Sequence, residues 1–250
     1  MRRLAALVLL LAGAVTSPAQ WQIFAEKLPK PGTWARYQYE TIREGKVSSK
    51  SELSLSIRSG MDVDGKPHVW FTVEPVGWLG SREQAPLRLL LSADMDRTRA
   101  SRLIENSQQI VFSNPVKGSY HMTRADIAWV SKWANLSYTS ELSADSPAQE
   151  TIESAGKPFA CERMKMLAST VTDPPIVPKQ TIEFKGTVWR SAAAPFGVVR
   201  AEWVEKTIKK EKSREESRRL TLLASGWETP PDEPVDRGKD FSVWRLIFNR

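Results

Sequence analysis

Residues 181–204 constrain the possible fold more than any other part of the sequence. Residues 181–189 alternate apolar and other side chains, the period-2 pattern of a half-buried β-strand. The Pro-Phe-Gly sequence at 195–197 predicts a sharp corner, and residues 198–208 then continue as a second extended segment. This stretch therefore predicts two consecutive strands of an antiparallel sheet.

The alternation also predicts which way the side chains of the first strand point. Ile182, Phe184 and Val188 share one face, and Trp189 lies on the other. We expect the three apolar side chains to face the inside of the sheet.

Similar segments occur earlier in the chain, between turn sequences. The alternation is cleanest at residues 52–58, and glycine-containing turn sequences flank it at 44–46 and 62–66. These segments add apolar side chains to the predicted inner face: Leu53, Leu55, Ile57, Val69 and Phe71. The chain is thus predicted to be mainly β, a curved antiparallel sheet or half-barrel with one or two helices packed across its concave face.

One segment has a clear helical signature. Thr123 and Asp126 have the spacing of a capping box, and an apolar stripe that includes Trp129 and Trp133 follows. The stripe predicts either packing against the sheet or a cover over a ligand.

Three segments lack a simple strand pattern. Residues 143–150 predict a loop. Residues 206–219, from Lys206 to Arg219, carry seven bases and three acids and predict either an extended hairpin tip or a solvated helix, with a possible role in binding a protein of the envelope. Residues 229–234 are rich in proline and predict a stiff linker.

The first residues predict export. Two arginines precede a continuous apolar run over residues 4–15, and small residues follow at Ser17 and Ala19. This is the pattern of a secretory signal peptide, and the run is shorter than the roughly 20 residues of a membrane span. We expect residues 1–19 to be cleaved and residues 20–250 to form a single domain, periplasmic or secreted.

The charge balance gives a weaker signal. The chain has 36 Lys and Arg against 29 Asp and Glu, a formal net charge of +7, and removal of the two leader arginines would leave +5. Because acids are interspersed with bases and the protein is expected to be exported, no nucleic-acid partner is expected. The excess favours solubility or weak attraction to anionic envelope surfaces.

The residues that usually carry catalysis are few. His68 and His121 are the two histidines, and neither lies in a zinc-binding motif; Cys161 is the single cysteine, so no internal disulfide can form. The sequence contains no nucleophile elbow and no phosphate-binding glycine loop. We expect no metal, no cofactor and no enzymatic activity, although a Ser-His-Asp hydrolase site scattered along the sequence is left open.

Ten tryptophans are spread across almost every element of the chain. Their large amphipathic rings suit either a thick core or a wide apolar groove. Aromatic rings on a concave sheet also stack on sugars, so saccharide binding is an alternative.

Three segments resemble a recurring pattern of exported bacterial proteins. Residues 155–161 read Ala-Gly-Lys-Pro-Phe-Ala-Cys, which is similar to the Gly-x-Phe-x-Cys turn of those proteins, residues 186–191 contain Trp-x-Ser, and residues 195–200 read Pro-Phe-Gly-Val-Val-Arg. Those proteins are similar in architecture to the periplasmic lipoprotein carriers and receptors of the Lol system. The charged segment and the proline-rich tail of this chain depart from that pattern.

The resemblance implies a curved sheet closed by helices over an apolar cavity, and no catalytic residue. It favours an exported, non-enzymatic carrier or binding protein for an acyl chain or a lipoprotein-like ligand, with a structural or interaction module of the envelope as the alternative. The candidate cavity residues are Ile182, Phe184, Val188, Leu53, Leu55, Ile57, Val69, Phe71, Trp129 and Trp133.

Overall fold

The computed structural model describes residues 18–77, 84–114, 118–175, 178–229 and 235–241. The predicted signal peptide lies outside the described residues except for its last two positions. Five of the six residues of the predicted proline-rich linker also lie outside them.

Strands dominate the described part of the chain. Their bounds are β1 Thr33–Arg43, β2 Lys46–Val63, β3 Lys66–Gly77, β4 Gln84–Ser92, β5 Gln109–Asn114, β6 Gly118–Thr123, β7 Ser137–Ser154, β8 Lys157–Thr172, β9 Gln180–Arg190, β10 Val198–Lys209, β11 Lys212–Trp227 and β12 Lys239–Asp240. The helices are short: α1 Pro18–Ala25, α2 Arg97–Ala100 and α3 Arg124–Trp133.

All twelve described strands belong to one open sheet. The strand order is β12-β6-β5-β4-β3-β2-β1-β11-β10-β9-β8-β7. Every pair is antiparallel except β12 with β6. The predicted antiparallel, mainly β fold is confirmed.

One face of this sheet carries a continuous apolar cluster, and we call it the concave face. Ala35 on β1, Leu55 on β2, Phe71 on β3, Phe184 on β9 and Leu220 on β11 all belong to the same buried cluster. A sheet of more than about ten strands curls or splits. Curling brings these distant strands around a single core.

Strands β9 and β10 meet at the predicted corner. The amide of Gly197 donates to the carbonyl of Ala194 at 2.9 Å, and the amide of Ser191 donates to the carbonyl of Gly197 at 3.1 Å. Gly197 has φ of +71°, which glycine adopts without strain. The ring of Phe196 is fully buried and lies 6.0 Å from the ring of Phe71, so the corner adds an aromatic side chain to the core.

Residues 206–219 form a hairpin tip, the first of the two predicted alternatives. β10 and β11 pair without interruption up to Lys209 and Lys212, and Lys210 turns the chain with φ of +57°. Many of the charges are paired within the chain, including Lys206 with Glu215 at 3.6 Å. A protein partner at this tip stays a prediction.

The predicted loop at residues 143–150 is wrong, because β7 continues through it. β7 pairs with β8 on both sides of an irregularity between Ala144 and Gln149. The side chains of β7 are mostly polar and exposed, as on an edge strand without a second apolar layer. Such a strand loses the apolar alternation that predicts strands from sequence.

The convex face also has a small apolar cluster. Trp70, Leu90 and Val111 are buried there under Val63 and Val235. The last described residues therefore cover part of the convex face, while β12 pairs with the sheet edge at β6.

None of the helices in the described ranges is both long enough and apolar enough to cross a membrane.

Gly186 allows β9 and β10 to approach closely on the concave face. A Cβ atom at this position would lie 2.0 Å from the carbonyl oxygen of Glu202 and 2.6 Å from the Cβ of Trp203. We predict that Gly186→Ala lowers the free energy of unfolding by about 1–3 kcal/mol, as overpacked sites do. Urea denaturation measures this loss. Thr187→Ala on the same strand serves as the control and is expected to lose less, and equal stabilities for Gly186→Ala and the wild type would contradict the prediction.

Candidate functional site

The concave face brings together most of the predicted cavity residues. Eight of the ten belong to the one buried cluster: Leu53, Leu55, Ile57, Val69, Phe71, Ile182, Phe184 and Val188. That these residues line a ligand cavity is a proposal taken up below.

Trp129 and Trp133 do not join this cluster. Their rings stack on each other at 6.3 Å on α3, and the side chain of Trp129 is 49% exposed. The buried residues of α3 are Ile127 and Ser131. The helix therefore turns a different face to the sheet than the apolar stripe predicted.

Helix α1 covers part of the concave face, and no sequence pattern predicted this helix. Trp21, Ile23 and Phe24 are buried in the same cluster as the sheet residues, and the ring of Phe24 lies 5.2 Å from that of Tyr37. Even Gln22 is buried. A short helix that is buried on every side shows no amphipathic stripe, and the first two residues of this one fall within the predicted leader, so no periodic signal marks it.

Little space separates α1 from the described part of the sheet beneath it. A cavity of about 10 Å³ lies between the helix and the sheet, lined by Trp21, Ile23, Phe24, Met166, Trp203 and Leu220. Binding sites for small molecules have volumes of about 300–1,000 Å³. This cavity has room for about one water molecule.

Two hydrogen-bond donors beside this cavity lack an acceptor. The indole Nε1 atoms of Trp21 and Trp203 are buried and have no hydrogen-bond partner among the described residues. Most buried polar groups are satisfied, and Trp34 Nε1 is a third buried indole donor without a partner among the described residues.

Polar side chains hold α1 at its middle and just after its C-terminal end. The amide Nε2 of Gln22 donates to Ser140 Oγ on β7 at 2.7 Å. Just after the helix, the carboxylate of Glu26 accepts a hydrogen bond from Arg190 Nη1 on β9 and another from Arg97 Nε on α2 at 3.1 Å. The helix is therefore fixed to three different elements.

The concave face becomes polar near the hairpin tip. The guanidinium of Arg218 lies over the ring of Tyr39 and pairs with Glu216, and its Nε is 3.8 Å from the carboxylate of Glu205. The ring of Tyr39 lies 6.0 Å from that of Trp203. Burial raises the pKa of the Tyr39 hydroxyl, and burial also raises the pKa of Glu205 although Arg218 opposes it.

The histidines lie away from the concave face. His68 and His121 alternate with the inward-facing Val69 and Met122, so both point to the convex side. His68 Nδ1 lies 2.9 Å from the carbonyl oxygen of Lys66, and His121 Nε2 lies 3.2 Å from Asp240. Neither contact builds the serine-histidine pair of a hydrolase.

The remaining chemistry of the described residues is sparse. Cys161 is buried, and burial raises the pKa of its thiol, which disfavours the reactive thiolate. Within the described ranges, no group of three or more His, Cys, Asp or Glu side chains is placed to hold a metal ion.

Comparison with known proteins gives similarity to solved structures alone. No protein-family model matches the chain, and no curated protein does. A protein from Bacteroides fragilis, described as exported and with a YmcC-like fold, is similar over 80% of this chain and 98% of its own, with 14% identity and a TM-score of 0.35.

Two further structures have comparable scores. The hypothetical lipoprotein YmcC of Escherichia coli matches 88% of this chain and 93% of its own, with 14% identity and a TM-score of 0.29. A domain from Vibrio parahaemolyticus, described as an outer membrane lipoprotein-sorting protein, matches 86% of this chain and 93% of its own, with 9% identity and a TM-score of 0.29. Similarities of this size leave the function to be argued from the chain itself.

The raised pKa of Glu205 predicts a pH dependence of stability. A carboxyl group whose pKa is higher in the folded than in the unfolded chain destabilises the fold once pH rises above the unfolded value, about 4.3. We therefore expect Glu205→Gln to be more stable than the wild type at pH 7 and the difference to shrink as pH falls toward 4. Thermal unfolding at a series of pH values measures it.

Glu202 on the same strand is the matched control. Hydrogen bonds from Arg200 and Arg219 outweigh burial and lower the pKa of Glu202. Glu202→Gln should therefore lose stability at pH 7 rather than gain it. A Glu205→Gln variant that also loses stability at pH 7 would contradict the prediction for Glu205.

Proposed function

We propose that this protein is an exported, non-enzymatic carrier or binding protein for an amphiphile with an acyl chain. The amphiphile binds on the concave face in the place of α1. The observation that carries the proposal is the position of α1. It is a separate short helix, outside the sheet hydrogen bonding, that covers an extended apolar surface. A ligand can replace such a cover without disturbing the strand pairing.

The length of α1 supports its removal. The helix has eight residues, and isolated helices shorter than about 12–15 residues are marginal in water. Its stability therefore comes from contacts with the sheet. Once those contacts are broken, the segment has no reason to stay helical or to return against a bound competitor.

Burying the apolar side chains of α1 and burying the acyl chain of a ligand contribute similar free energies. Burying Trp21, Ile23 and Phe24 contributes about 1.5–3 kcal/mol for each side chain, or about 5–9 kcal/mol together. An acyl chain of about twelve carbons contributes about 0.8 kcal/mol per methylene, or about 9 kcal/mol. Replacing α1 by an acyl chain therefore changes the free energy little. A small difference of this kind lets a carrier release its ligand.

The unpartnered donors also suit this exchange. The indole groups of Trp21 and Trp203 offer two hydrogen bonds where no described residue accepts them. With α1 displaced, Trp203 remains on the sheet beside Arg218, its partner across β10 and β11. Polar atoms of a bound amphiphile would satisfy that donor.

Weakening α1 should strengthen ligand binding. We predict that Phe24→Ala binds a fluorescent twelve-carbon fatty acid at least roughly tenfold more tightly than the wild type, because the apparent affinity rises with the fraction of molecules in the open state. The same variant should have a lower free energy of unfolding, since a buried phenylalanine is lost. Fluorescence titration and urea denaturation measure the two effects.

Leu90→Ala provides the matched control on the convex face. Leu90 is fully buried in the small cluster with Trp70 and Val111. Its truncation should lower stability without raising affinity for the fatty acid. Native mass spectrometry and solvent extraction of protein purified from the periplasm test the wild type directly. If neither the wild type nor Phe24→Ala binds the probe, and no acyl species co-purifies, the proposed function is wrong.

A further inference from the structure

Glu26 occupies an unusual position at the end of α1. Its side chain is 8% exposed and lies between two guanidinium groups, those of Arg190 and Arg97. Arg190 is 16% exposed and Arg97 is 55% exposed. The carboxylate therefore lies at a border, with a buried arginine on the inner side and a solvated arginine on the outer side.

Both arginines depend on Glu26 for an acidic partner. In the described part of the chain, the ion pairs of Arg190 and of Arg97 are with Glu26 alone. If α1 left the concave face and took Glu26 with it, Arg190 would stay behind on β9 without this counter-charge. An anion that took the position of the Glu26 carboxylate would restore the pair.

The order of apolar and acidic side chains in α1 and just after it resembles the layout of an anionic lipid. Trp21, Ile23 and Phe24 place apolar side chains against the sheet, and the acidic group of Glu26 follows directly after the helix. An apolar segment ending in one anionic group is the chemical layout of a fatty acid or of a lipid phosphate. The planar guanidinium fork binds carboxylate and phosphate oxygens equally well in pairs.

We propose that α1 with Glu26 is an internal substitute for an anionic amphiphile, and that Arg190 and Arg97 form the site for the ligand's carboxylate or phosphate group. The acyl chain lies where Trp21, Ile23 and Phe24 lie now, and the head group takes the position of the Glu26 carboxylate. Arg97 is exposed enough for the head group to reach solvent or a membrane surface. This inference rests on the proposed function and adds the charge of the ligand to it.

Three probes with the same twelve-carbon chain test the head-group site. Dodecanoate and dodecyl phosphate carry an anion, and 1-dodecanol is the neutral match. On the full chain without its leader, we expect both anions to bind at least roughly tenfold more tightly than the alcohol, measured by displacement of a fluorescent fatty acid. The tighter of the two anions identifies a carboxylate or a phosphate as the natural head group.

Variants assign the preference to named residues. Arg190→Gln should reduce the preference for anions over the alcohol to less than about twofold, while the variant still binds the alcohol. Glu26→Gln should bind both anions more tightly than the wild type, since the internal competitor has lost its charge. Arg163 on β8, which forms an ion pair with Asp145 on β7, provides the matched control, and Arg163→Gln should keep the wild-type preference.

The outcomes separate the two proposals. If dodecanol binds as tightly as the anions, acyl binding stands and the head-group site is wrong. If none of the three probes binds, the proposed function itself fails. If the melting curve of Arg190→Gln shows that this variant does not fold, Arg97→Gln at the exposed position replaces it. The head-group site is then wrong if Arg97→Gln keeps the wild-type preference for anions over the alcohol and Glu26→Gln keeps the wild-type affinity for the anions.

Discussion

Every other feature of this molecule depends on the need to cover one side of an open, curved sheet. The twelve strands leave a concave face lined with aliphatic and aromatic side chains, which water would wet if nothing lay against it. A closed barrel solves this problem with its own strands. Here part of the cover is an eight-residue helix that contributes no strand pairing, so this helix and the sheet are separable parts of one core.

Much of the sheet could be predicted from sequence, because its strands have one apolar and one polar side. Leu53, Leu55 and Ile57 alternate so regularly that strand and facing follow at once, and all three belong to the concave core. The prediction of a loop at residues 143–150 was wrong for the opposite reason. Edge strand β7 packs against no second layer there, and without a buried side the period-2 signal disappears although the backbone pairing remains.

The candidate site was only half predictable. The sheet residues of the concave face carry a local signal, but α1 does not, because a helix buried all round lacks a polar stripe and this one begins within the predicted leader. The pairing of Glu26 with Arg190 joins residues 164 positions apart, and no local pattern encodes it. The prediction for Trp129 depended on an aromatic stripe at helical spacing. Such a stripe does not determine which side of the helix packs against the sheet.

The irregularity in β7 has a consequence for how molecules of this protein meet one another. A long, flat edge strand offers its free amides and carbonyls to any other edge, and proteins at high concentration can then polymerise strand by strand. In β7 the register breaks between Ala144 and Gln149, and the carboxylate of Asp145 is drawn against Arg163 and Lys165. The interrupted edge gives a second chain a less continuous template for strand pairing than a regular edge would.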